Sequence, residues 1–169
     1  MESAEWDEQW EDDGNGLRFI PRSPSAEHRV SGARRPLVVS RRQSLEDGVV
    51  RLVNQERAAA GLNALRTEEM LRQSSRAHSE AMAARDFFDH LDPDGTSPAD
   101  RMYAAGYRFP GAENIAVHLP NAWEVVRAWM ASPGHRANIL NPDFRAIGAG
   151  LYWVPGARLA WWTQNFGYV

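Results

Sequence analysis

Five histidines, one carboxylate and one serine are the side chains of this sequence most suited to chemistry. The histidines are His28, His78, His90, His118 and His135. His90 closes the run Phe87-Phe88-Asp89-His90, where two aromatic anchors would leave an imidazole at an edge. His135 lies in Ser132-Pro133-Gly134-His135-Arg136-Ala137-Asn138. Serine suits a helix N-cap and proline the first helical position, which puts His135 in a first turn. A helix N-terminus disfavours added positive charge, so this imidazole is expected to stay neutral. Glu113 precedes the apolar run Ile115-Ala116-Val117. Two imidazoles and one carboxylate would make a zinc set with an open position if folding brought them together. Ser132, His135 and Glu113 would alternatively make a nucleophile, base and orienting acid. His78 reads as a half-buried helical residue, His118 as a weak candidate and His28 as solvated.

The elements that must position these groups are marked by caps and periodicity. Ser44 with Asp47 reads as a capping box before Val49, Leu52 and Val53, and Gly61 as that helix's stop. Thr67 reads as the cap of a second helix, with Met70, Ser74, Ala77, Ala81 and Ala84 as its packed stripe. Asp92-Pro93-Asp94-Gly95 is a turn, and Ser97-Pro98 opens a third helix. Asn121 and Glu124 open a fourth, ending near Ala131. Ala146 to Trp153 and Leu159 to Tyr168, joined through Pro155-Gly156-Ala157, read as an antiparallel hairpin. Helices first and strands last point to an α+β domain.

Residues 1–43 read as a disordered tail. An acidic block is followed by an Arg-rich block, with too few apolar residues for a core. Trp6 to Trp10 offers a segment for partner docking, and Leu37-Val38-Val39 a short edge strand. All 19 basic residues are Arg and the formal charge is −3, too little to imply a nucleic-acid partner. No apolar run is long enough for a transmembrane segment. The acidic start does not read as a secretory signal. With no cysteine, any metal must be held by nitrogen or oxygen.

Three segments stand together: Phe87-Phe88-Asp89-His90, Glu113-Asn114-Ile115-Ala116, and Ser132 through Leu140. With Leu52 to Arg57, Ile147-Gly148-Ala149-Gly150 and Trp162 to Gly167, the stretch 44–169 resembles the bacterial SCP-like branch of the CAP superfamily. The resemblance implies a three-layer α-β-α sandwich with a central antiparallel sheet, a cleft holding two histidines and two acidic residues, and in some relatives a divalent ion such as zinc. By position His90 and His135 match the histidines, the expected metal ligands, and Glu113 the first acid. Ser132 stands where the second acid belongs, which weakens the case for metal. The expected role is an extracellular binding module for a lipid, glycan, cell-wall or peptide ligand. A metal-assisted or Ser/His/Glu hydrolase and a structural domain with a relic cleft are the alternatives.

Overall fold

The computed structural model describes residues 10–12, 17–19, 40–153 and 160–169. The chain divides into two units, Met1–Ser44 and Leu45–Val169. In the first, β1 (Trp10–Asp12) pairs antiparallel with β2 (Leu17–Phe19), although this stretch reads as tail. Residues 40–43, expected in the tail, are described and open the first helix, whereas the rest of the tail, with His28 and the segment Leu37 to Val39, lies outside the described residues.

Helix α1 (Arg41–Ala59) begins three residues before the expected Ser44 cap. Ser40 is the capping residue, its Oγ accepting the Gln43 N–H at 3.2 Å, while the Ser44 N–H donates to the Ser40 carbonyl. Gly61 follows the helix at φ 73°, a conformation costly for other residues. β3 (Arg66–Thr67) then contains the threonine expected to cap α2 (Glu69–Ala84). Glu68 holds the N-cap position instead, without a side-chain cap bond. α3 (Pro98–Ala104) starts with a complete Ser97/Asp100 capping box. β4 (Pro110–Val117) leads to α4 (Ala122–Ala131), where Asn121 Oδ1 accepts the Glu124 N–H at 2.9 Å. α5 (Pro133–Ile139), β5 (Ala146–Trp153) and β6 (Ala160–Gly167) complete the chain.

The sheet order is β3-β5-β6-β4. β5, β6 and β4 are antiparallel, as the hairpin pattern requires, but β3 joins β5 in parallel, so the sheet is mixed. The connection from β3 to β5 is long and helical, and such a crossover is what parallel pairing needs. The turn expected at residues 155–157 lies outside the described residues.

Alternation along the strands gives the sheet two unlike faces. Ile147, Ala149 and Leu151 of β5 and Trp162 and Phe166 of β6 join Val49 and Val53 of α1 and Val125, Val126 and Trp129 of α4 in one apolar core. The opposite face receives α2 and is polar. Ser75 Oγ donates to the Gly148 carbonyl at 3.0 Å, Ser79 Oγ to the Gly150 carbonyl at 3.1 Å, and Asn165 Nδ2 to Ser74 Oγ at 3.2 Å. The buried stripe of α2 is therefore Leu71, Ser74, Ser75, His78, Ser79 and Met82, whereas Met70, Ala77 and Ala84 are exposed. The apolar pattern misleads here because the serines satisfy their hydroxyls on strand carbonyls. A Cβ on Gly148 or Gly150 would stand 2.2 Å from the backbone nitrogen of Arg72 or Arg76, so α2 lies directly on bare strand backbone.

Candidate functional site

Glu113 sits in β4 with its side chain 1% exposed, and a carboxylate so placed must be compensated. Arg101 and His90 both hydrogen-bond to it. Arg101 of α3 directs Nη2 to both carboxylate oxygens at 3.0 Å. His90, on the segment between α2 and α3, places Nδ1 2.9 Å from Oε1. A carboxylate only accepts, so His90 carries its proton on Nδ1 and leaves Nε2 free of Glu113. That hydrogen bond raises the proton affinity of His90 above the ordinary imidazole range, with partial burial opposing it. Beside the pair lies an open hollow of about 340 Å³ lined by His90, Glu113, Ser97, Pro98, Met102 and Ala112, among others.

Arg101 also fixes the chain that carries His90. Its Nη1 donates to Asp92 Oδ1 at 3.0 Å and to the Thr96 carbonyl at 3.1 Å, and its Nη2 to the His90 carbonyl at 2.9 Å. The turn thus held closes through Gly95 N–H to the Asp92 carbonyl at 2.8 Å. Beneath it is His78, fully buried on α2 rather than half-buried. Its Nε2 donates to the Asp89 carbonyl at 3.0 Å, while Nδ1 lies 3.1 Å from Asp92 Oδ1 without hydrogen-bond alignment. Desolvation lowers the proton affinity of His78, against the pull of Glu113.

His135 stands on α5, near enough to His90 to feel its charge. Asn114 Nδ2 donates to the His135 carbonyl at 3.2 Å and to Gln164 Oε1 at 2.9 Å. Asn138 Nδ2 returns from α5 to Asn114 Oδ1 at 2.8 Å. Arg57 of α1 secures the far end of the same helix, its Nη1 donating to the Ile139 and Asn141 carbonyls at 2.9 and 2.8 Å. His135 is kept neutral, first by burial and then by the charge of His90. Burial is thus the main cause, where the sequence points to the helix terminus.

The structure joins His90 and Glu113 directly. His135 feels the charge of His90 but makes no hydrogen bond or ion pair with either residue among the described contacts. Ser132 stands at the α4–α5 junction with its carbonyl accepting the Arg136 N–H at 2.9 Å; its hydroxyl makes no cap bond, contrary to the expected cap. His118 lies just past the far end of β4 at φ 67°. Arg101, Asp92 and the Asn114–Asn138–Gln164 set are the participants that spacing does not reveal. Arg101 carries one signal, its place on the first inward turn of a well-capped helix beside Met102. Among the described residues no three histidine, aspartate or glutamate side chains are arranged to hold a metal ion. Zinc sites take three or four protein ligands; Glu113 is held by Arg101 and the His78 nitrogens are turned to Asp89 and Asp92, which leaves two imidazoles, so the donor set does not fit a resident zinc ion.

A family model described as CAP, cysteine-rich secretory protein family, matches residues 50–166. The chain is 45% identical over 122 residues to the uncharacterized protein YkwD of Bacillus subtilis, covering 72% of this chain and 46% of YkwD. It is 30% identical to the uncharacterized membrane protein YlbC of the same organism, covering 72% of this chain and 34% of that protein. The chain thus spans less than half of either relative. Among solved structures, an extracellular protein containing a SCP domain from Bacillus anthracis superposes with a TM-score of 0.71 at 27% identity, covering 82% of this chain and 45% of that one. An outer surface protein of Borrelia burgdorferi gives 0.65 at 22% identity, covering 70% and 88%, and shares the fold.

Proposed function

Since the chain belongs to the CAP family, in its bacterial SCP-type form, we propose that it is an extracellular binding module whose hollow beside His90 takes a short peptide or glycan segment. The observation that carries this reading is the engagement of Glu113. Both its oxygens accept from Arg101 and one also from His90, and its side chain is 1% exposed, so it serves as a buried anchor rather than as a base open to substrate. The hollow is lined by the half-exposed His90 and the apolar walls of Pro98, Met102 and Ala112, while the Ser97 hydroxyl beside it is taken by Asp100. A volume of about 340 Å³ is near the small end of ligand sites and suits one sugar or one or two amino-acid residues better than an acyl chain. The extracellular placement is supported by the description of the Bacillus anthracis protein. Among the described residues no helix is long and apolar enough to cross a membrane.

The Ser/His/Glu form of the hydrolase reading has less support. Ser132 makes no hydrogen bond to His135 or Glu113 among the described contacts. The test is saturable retention of the full chain on insoluble cell-wall polymer and on an immobilised peptide library, with phospholipid vesicles as the contrasting surface. Retention by polymer or peptide that is lost in His90→Ala supports the proposal. Retention unchanged in His90→Ala, or by vesicles alone, overturns it.

A further inference from the structure

A carboxylate buried to 1% exposure between two histidine-bearing segments would be expected to serve a metal ion, but here its countercharge is already covalent to the chain. We infer that Arg101 is the resident cation of this site, and that it withholds Glu113 from metal ions. The inference rests on the reading that the hollow beside His90 is the working site. Three observations carry it. Arg101 Nη2 lies 3.0 Å from both Glu113 oxygens, the place a cation bound by the carboxylate alone would take. The guanidinium is itself only 8% exposed, so water does not weaken the pair as it does at a surface. Its two terminal nitrogens also donate to the His90 carbonyl, the Thr96 carbonyl and Asp92 Oδ1. An ion entering at Glu113 must therefore expel a guanidinium that also fastens the His90 segment. Such an ion would be left with the imidazoles of His90 and His135.

The inference predicts the opposite of what a merely structural arginine would show. Calorimetric titration with zinc alone should give roughly tenfold tighter binding to Arg101→Gln than to the unaltered chain, the range in which groups around ligands tune metal affinity. The gain should vanish in the double variant Arg101→Gln/Glu113→Gln. Equal or weaker zinc binding by a folded Arg101→Gln overturns the inference, as does a gain that survives loss of Glu113. Should Arg101→Gln not fold, the unaltered chain still decides. On adding zinc, the ¹³C resonance of the Glu113 carboxylate should stay fixed while the His90 and His135 ring resonances move, and a carboxylate shift that tracks the rings overturns it. These readouts need no organic ligand, so they stand or fall apart from the retention experiment.

Discussion

At the scale of single residues, the site is a problem in placing charge. Arg101 and Glu113 are both nearly excluded from water, and breaking such a pair leaves one of them uncompensated. Glu113→Gln is expected to lower the unfolding free energy by about 3–5 kcal/mol, read as a shift of the urea midpoint at constant slope. His78 and His90 predict opposite responses to acid. The proton affinity of His78 is depressed by burial, so below about pH 6.5 the unfolded chain takes up a proton that the folded chain refuses. Stability falls as the pH drops through that window. His90 is raised by its bond to Glu113, so its contribution is present below about pH 6.5 and is lost as the pH rises through its folded value. His78→Gln removes the first effect and keeps the second. The Tm gap between the unaltered chain and His78→Gln should therefore narrow as the pH falls from about 7 to 5, and a constant gap would contradict the assignment. His90, His135 and Glu113 were legible as residue types in suggestive places. Arg101 was not, because one inward arginine on a short helix has no spacing that separates it from the others among the 19 basic residues.

Among elements, caps and turns were the most legible features because their chemistry is local. Ser97 with Asp100, Asn121 with Glu124, and Gly61 all do what their types imply. Ser44 and Thr67 fail for one reason: a second hydroxyl or a strand pairing nearby takes precedence, Ser40 in the first case and the ladder to β5 in the second. The α2 stripe fails differently. Its inward serines look like solvent-facing residues until the glycines opposite are known. With no side chains on Gly148 and Gly150, the helix comes near enough for hydroxyls to reach strand carbonyls. Gly148→Ala and Gly150→Ala are each expected to reach or exceed the ~3 kcal/mol upper end of overpacking, since backbone rather than a movable side chain stands in the way. Ser79→Ala should cost about 1–3 kcal/mol, because it deprives the Gly150 carbonyl and Thr163 Oγ1 of a buried partner. Chemical denaturation followed by circular dichroism measures all three.

Taken whole, the Leu45–Val169 unit divides labour between its faces. The face toward α4 holds the large apolar side chains, and the face toward α2 and α3 holds the charges and hydroxyls around Glu113. Trp129, buried at 1% with its Nε1 donating to the Ile115 carbonyl at 3.0 Å, is central to the first. Trp129→Ala should cost about 3–5 kcal/mol, with far-ultraviolet and fluorescence transitions coinciding as in a single cooperative unit. The α-β-α layering was legible through family resemblance and the order of helices and strands, but the parallel β3 was not. Two residues of strand leave no period to read, and their pairing depends on a crossover that spans most of the domain.

The contact of α2 with the two strand glycines acts like a key in its keyway. Helix backbone at Leu71–Arg72 and Ser75–Arg76 fills the space a Cβ would need, and Ser75 and Ser79 bond the strand carbonyls there, so the helix cannot shift along the sheet without breaking those bonds. The hollow is lined instead by the His90 segment, α3 and β4, and Arg101 ties the first of these to the second.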